Sequence, residues 1–309
     1  MAVNPIEWSA LGGLVFVARQ LVEGMWSGQH ASVRHGSGQE FHDYRQYVSG
    51  DDLGDVDWKL YGRTDRYYVR RHRQLTDLHL YLMVDCSASM DFAPVDAAGQ
   101  RVRGQIPGAI TANKFAFASA LAAAIAFLTI RQGDRAGLGL CAERLLEHHA
   151  PAGTWMDLLR MCRMLEQSRA RNAGQVGASL AQAHALMRRR GLLVLISDLL
   201  DDPREIFDGL DRFRYDRFDV ILFQVLTRQE LDLSGLGGVR TRMVDAETQG
   251  VVTTDVSRVQ RRYVEQMGTH LETLQRGCMG RGIDYNLLTT DQSVVTALRK
   301  YLVRRNALA

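Results

Sequence analysis

Cysteine is scarce: the 309 residues hold four, Cys86, Cys141, Cys162 and Cys278, far apart and without the paired spacing of metal ligands. That excludes a zinc-finger or zinc-ribbon site and a disulfide framework, and it fits a reducing cytoplasm. Long apolar runs are also missing. The longest, Phe115 to Ile130, falls short of the ~20 residues that a bilayer needs. It is bracketed by Lys114 and Arg131, and its alanine-rich composition predicts a helix buried against a sheet rather than a membrane span. The N-terminal stretch Leu11 to Ala18 is broken by two glycines and has no basic flank before it, which makes it a poor signal peptide. Neither sign of charge dominates. The net charge is +3 with acidic and basic residues interleaved, so no strong field for nucleic acid or lipid is implied. No glycine-rich phosphate loop ending in Lys-Ser or Lys-Thr occurs, which argues against nucleotide hydrolysis.

What is present is an ordinary soluble composition, 46% hydrophobic and 24% charged, enough for one large domain plus an extension or for two domains. From about Asp77 onward, strand-like apolar runs (Leu78 to Val84, Arg135 to Ala142, Leu192 to Ile196, Val220 to Leu226, Ile283 to Leu288) alternate with helical patterns. The helical stretches are Lys114 to Arg131, Thr154 to Gln167, Ala178 to Arg190, a segment after Pro203, Val256 to Arg276 and Gln292 to Arg304. This alternation predicts an α/β fold, a doubly wound, mostly parallel sheet with helices on both faces. The division expected is an N-terminal extension over residues 1–75 and a sheet domain over 76–309. The extension is too polar for a core of its own and is expected to pack on the main domain through Phe41, Tyr47, Trp58 and Tyr68.

In such folds ligands bind beyond the carboxyl ends of the strands, where the strand order reverses. Two strand ends carry unusual polar chemistry. After Leu80 to Val84 comes Asp85-Cys86-Ser87-Ala88-Ser89, and after Leu192 to Ile196 comes Ser197-Asp198. A carboxylate and two hydroxyls at a sheet rim can converge on a hard cation such as Mg²⁺. Adjacent strands would bring Asp198 to the same rim. The plainer reading is that Ser197 and Asp198 only begin the turn toward Asp201-Asp202-Pro203, where an Asp caps a helix.

The blocks Gly36-Ser37-Gly38-Gln39-Glu40-Phe41, Arg45 to Asp52, Val56-Asp57-Trp58 and Gly62-Arg63-Thr64, followed by the Asp85-Ser87-Ser89 cluster, give the chain a strong likeness. It resembles the domain-of-unknown-function 58 family over most of its length, a family with a von Willebrand factor A-like domain behind a characteristic N-terminal segment. The resemblance implies a metal-ion-dependent adhesion site for Mg²⁺ or Mn²⁺. An Asp and two Ser come from its first loop (Asp85, Ser87, Ser89), a Thr from its second and an Asp from its third (Asp198). The second loop departs from that pattern. It reads Gly177-Ala178-Ser179-Leu180, with Ala178 aligned to the Thr and Ser179 one residue on as the remaining hydroxyl.

The resemblance implies a protein-binding module rather than an enzyme. A partner's acidic side chain would complete the metal's coordination, and the partner would be a MoxR-type AAA+ ATPase acting in the assembly or maturation of other proteins. The rival is a metal-assisted, phosphatase-like hydrolase with Asp85 or Cys86 as nucleophile. It lacks a neighbouring base, since His35, His148 and His149 could approach only through the fold, and Ser87 stands where aspartyl phosphatases generally have a second Asp. A third possibility, a nucleic-acid patch of Arg63, Arg66, Arg70 and Arg71 with Tyr67 and Tyr68, is offset by Asp51, Asp52, Asp55 and Asp57.

Overall fold

The computed structural model of the protein describes residues 13–27, 44–47, 56, 58–70, 78–95, 113–187, 189–233, 236, 240–247 and 250–308. The chain divides into two units, one formed by residues 1–28 with 78–309 and one by residues 29–77. Against the expected division into 1–75 and 76–309, residues 1–28 fall with the larger unit, and the later division lies at 77/78. Helix α1 (Gly13–Ser27) belongs to the larger unit, because Val15, Ala18 and Val22 are buried in its core.

In the smaller unit, β1 (Tyr44–Gln46) pairs antiparallel with β2 (Tyr68–Arg70), and α2 (Trp58–Thr64) lies between them in sequence. Tyr61 and Tyr67 stack with centroids 4.4 Å apart, and Tyr47 and Trp58 approach Tyr67 at 6.2 and 6.5 Å. The ring contacts of Tyr47 and Trp58 are thus made within this unit, and Trp58 stays 58% exposed. Phe41, the acidic residues at 51, 52, 55 and 57, and His35 lie outside the described residues.

The larger unit continues with β3 (His79–Asp85), a single 3-10 turn (Ala88–Asp91), α3 (Lys114–Arg131), β4 (Arg135–Cys141), β5 (Leu145–Ala152), α4 (Trp155–Gln167), α5 (Val176–Leu186) and β6 (Leu192–Ser197). Then come α6 (Pro203–Tyr215), β7 (Asp219–Leu226), α7 (Arg228–Asp232), a hairpin of β8 (Arg240–Val244) and β9 (Val251–Asp255), α8 (Val256–Gly280), β10 (Asp284–Thr289) and α9 (Val294–Leu308). Six strands form one sheet in the order β10-β7-β6-β3-β4-β5. All neighbours are parallel except β5, which runs antiparallel to β4 on the edge. The expected α/β class holds.

Strand β6 is buried along its whole length, as a central parallel strand with helices on both faces must be. One face of the sheet packs against α1, α3, α4 and α9 and the other against α5, α6 and α8. Helix α3 is the expected buried helix. It is 83% buried, its alanines allow close approach to the sheet, and Asn113 caps it by accepting from the Ala116 N–H at 2.8 Å. Strand β3 has β4 on one side and the later β6 on the other, so successive connections diverge between β3 and β6. That is the switch point, and the rim above it carries Asp85 and Ser197-Asp198.

Candidate functional site

Asp85 is the last residue of β3, 1% exposed, and both of its carboxylate oxygens are taken. Oδ1 accepts from the Ser87 N–H at 2.8 Å, and Oδ2 accepts from the Ser197 hydroxyl at 2.6 Å on the neighbouring strand β6. The turn after Ser87 places Ser87 Oγ and Ser89 Oγ 3.0 Å apart, the first buried and the second half-buried. Burial, then repulsion from Asp198, pushes the Asp85 carboxyl up to about 7, while the bonds from Ser197 and Ser87 pull it back. Asp85 thus carries the signature of a buried carboxylate without enough positive charge beside it.

Asp198 is not merely the start of a turn. Its Oδ2 lies 2.8 Å from the ammonium of Lys114, and that ammonium also pairs with Glu230 of α7. Lys114 is fully buried. Burial alone would lower its basicity, but the charges of Asp198 and Glu230 outweigh it and hold Lys114 above the usual lysine value. The backbone carbonyl of Asp198 accepts from the Gln224 carboxamide at 2.7 Å, and that carboxamide in turn accepts from the Tyr285 hydroxyl. The next residue, Leu199, adopts φ 51° with its side chain fully buried. The Ser197 hydroxyl accepts its N–H at 3.0 Å, and its carbonyl lies 2.7 Å from His270 Nε2. A left-handed non-glycine residue costs about 1–2 kcal/mol, and here the surroundings enforce it next to the site.

The loop between α4 and α5 closes over the first loop. Arg171 N–H donates to the Cys86 carbonyl at 2.9 Å, and Ala88 N–H donates to the Asn172 carbonyl at 2.8 Å. Asp201 binds the N–H of Val176 at 2.7 Å and so caps α5, while Asp202 caps α6 as expected of an Asp before Pro203. Glu247, from the β8–β9 turn, lies beside Gly174, where an added Cβ would come within 3.1 Å of its carboxylate and 3.3 Å of Ser87 Cβ. Burial first, then neighbouring carboxylates, raises Asp201 and Glu247 above the normal carboxyl range, although each is eased by one backbone N–H. The cation that reaches Asp198 here is Lys114, which Glu230 shares.

Of the five residues expected to ligate a metal, Asp85, Ser87 and Ser89 are joined by hydrogen bonds at the rim, and Asp198 lies close enough to repel the Asp85 charge. Ser179 does not join them. Its buried hydroxyl donates to the Ala142 carbonyl at 3.1 Å, at the end of β4, while Ala178 is exposed. Among the described residues no three His, Cys, Asp or Glu side chains form a ready cage, so the donor set mixes carboxylates with hydroxyls. That set fits a hard divalent cation, which takes oxygen ligands, keeps waters, and would offset both the burial and the Asp198 repulsion that raise Asp85.

Cys86 is buried with its thiol donating to the Cys141 carbonyl at 3.2 Å, and burial with the Asp85 charge pushes it up to about 12. It is therefore not an activated thiolate. His148 and His149 lie on β5 and line a pocket of about 340 Å³ with Tyr81, Met83, Gly137 and Leu186, and none of the rim residues reaches it.

Lys114, Glu230 and Glu247 escape a reading of the sequence. Lys114 had a signal: a lysine at the first position of a helix, just after its cap, opposes the helix dipole and needs a compensating anion. Glu230 and Glu247 have none, since only the tertiary fold brings them near.

The family model described as "Protein of unknown function DUF58" matches residues 43–273. The uncharacterized protein Rv1480 of Mycobacterium tuberculosis is 29% identical over 313 residues, covering 99% of this chain and 92% of that protein. Among solved structures, the conserved hypothetical protein BatB of Bacteroides thetaiotaomicron aligns at 12% identity and a TM-score of 0.45, over 74% of this chain and 98% of BatB. The VWA domain of SpRpn10 aligns at 10% identity and a TM-score of 0.42, over 72% of this chain and 94% of that domain.

Proposed function

From the premise that this chain belongs to the DUF58 family, we propose that it is a metal-dependent protein-binding module rather than an enzyme. It acts as an adaptor with a MoxR-type AAA+ ATPase in the assembly or maturation of other proteins. The observation that carries this reading is the hydrogen-bonded cluster of Asp85, Ser87 and Ser89 at the switch-point rim, with the Asp198 charge acting on a buried Asp85 carboxylate. A Mg²⁺ or Mn²⁺ ion held by these oxygens would supply that charge and attract an acidic side chain of the partner.

The protein's own residues do the positioning. Ser197 and the Ser87 N–H fix the Asp85 carboxylate, Gln224 and Tyr285 brace the backbone at Asp198, and the Asn172 carbonyl anchors the first loop through Ala88. Support for a non-catalytic role comes from Cys86, whose buried thiol donates to the Cys141 carbonyl and is pushed up by burial. Four buried free cysteines accord with a cytoplasmic location.

The test is capture of a MoxR-type ATPase by the purified protein, with Mg²⁺ and with chelator, alongside Asp85→Ala. Capture that needs both the metal and Asp85 is expected. Capture indifferent to chelator, or turnover of a phosphoester that disappears in Asp85→Ala, would overturn the reading.

A further inference from the structure

The Lys114 ammonium sits where a metal reading of the rim would place its strongest competitor. It is fully buried, 2.8 Å from Asp198 Oδ2, and it bridges to Glu230 on α7. A lysine here is disfavoured twice, by burial and by the positive end of the α3 dipole, so its position is held by the two carboxylates. Only one of them belongs to the rim. Glu230 is anchored independently, its other oxygen accepting from the Thr227 N–H and hydroxyl at 2.8 and 3.0 Å and its backbone carbonyl accepting from the Tyr263 hydroxyl at 2.6 Å. Glu230 can therefore keep the ammonium compensated after Asp198 is lost to another cation.

We propose that Lys114 is a tethered cation that competes with the divalent ion for Asp198 and sets the metal affinity of the rim, with Glu230 as its resting partner when the ion is bound. This rests on the metal-site reading given above. Two opposed consequences follow. Removing the ammonium frees Asp198 and tightens binding, whereas neutralising Glu230 leaves Asp198 as the ammonium's only charged partner and weakens it.

The experiment is titration of the whole protein with Mn²⁺, read by calorimetry and by loss of the free-ion electron paramagnetic resonance signal. Wild type, Lys114→Met, Glu230→Gln, the double variant and Asp85→Ala are compared, with circular dichroism confirming each fold. Lys114→Met is expected to bind roughly tenfold tighter or more, a difference of about 1.4 kcal/mol, and Glu230→Gln weaker than wild type. If Lys114→Met does not fold, the double variant, which removes both charges, replaces it with the same expectation.

Wild-type binding that is lost in Asp85→Ala but is equal or weaker without Lys114 would overturn the Lys114 proposal and leave the metal reading standing. Binding only once Lys114 is removed would support the competition and overturn metal dependence of the native protein. No Mn²⁺ binding by wild type or by either variant lacking Lys114 would overturn both.

Discussion

Lys114 Nζ lies 2.8 Å from Asp198 Oδ2, joining the first residue of α3 to the loop that follows β6. The two are 84 residues apart in sequence, and the bond forms beside the carboxylate that ends β3. One rim thus holds a compensated carboxylate, Asp198, and an under-compensated one, Asp85. Their difference follows from which of them the lysine reaches.

For Asp85, the carboxyl is raised above its unfolded value, so its contribution to stability is fully present below about pH 4 and is lost as the pH rises through about 7. In chelator, Asp85→Asn removes a charge that opposes folding at high pH. Thermal melts should show the variant more stable than wild type at pH 8, with the advantage gone at pH 4. An advantage that is independent of pH would mean that Asp85 is not the group responsible.

Ser179→Ala tests whether the second-loop hydroxyl is a ligand or a strut. Its Ala142 acceptor also receives the Gln175 N–H at 2.9 Å, so the carbonyl is not orphaned by the change. We expect a loss of about 1 kcal/mol in urea unfolding, with Mn²⁺ affinity unchanged. A large fall in metal affinity without a stability change would return Ser179 to the ligand set.

Leu199→Gly sets backbone relief against packing. Glycine would relieve a left-handed conformation worth about 1–2 kcal/mol, but it deletes a fully buried leucine side chain, for which truncation costs about 2–5 kcal/mol. Packing should win. A net destabilisation of about 1–3 kcal/mol is expected by chemical denaturation.

Gly277 of α8 faces Phe207 of α6 so closely that an added Cβ would lie 2.2 Å from the ring. Gly277→Ala gains about 1 kcal/mol of helix propensity yet must push the aromatic ring aside, an overpacking cost of about 1–3 kcal/mol. The expected result is a lower melting temperature, where an exposed helical glycine would give a higher one.

The central strands were legible because each must be apolar on both faces. Leu192 to Ile196 reads as a strand from its composition alone, and β6 covers it. Strand β5 was not legible, since an edge needs few apolar residues and Glu147, His148 and His149 give no alternation. Helix α1 was hidden by the glycines at its start, and only the core against α3 reveals its buried face. At the site, Asp85, Ser87, Ser89 and Asp198 could be read because strand ends place them. Lys114 looked like the flank of an apolar run, because its partners Asp198 and Glu230 come from other parts of the chain. Ser179 stands one residue from Ala178 in the sequence, but adjacent helical positions face different directions, and it turns to Ala142.

The bond from the Val176 amide to Asp201 makes the opening turn of α5 a gauge of the loop after β6. Amides at the start of a helix have no acceptor within it, so Asp201 is what shields this one from solvent deuterium. Any rearrangement that drew the loop away would quicken exchange at Val176 while amides deep in β6 stayed protected. A mass spectrometer could therefore follow events at the rim from a backbone position that is not part of the proposed ligand set.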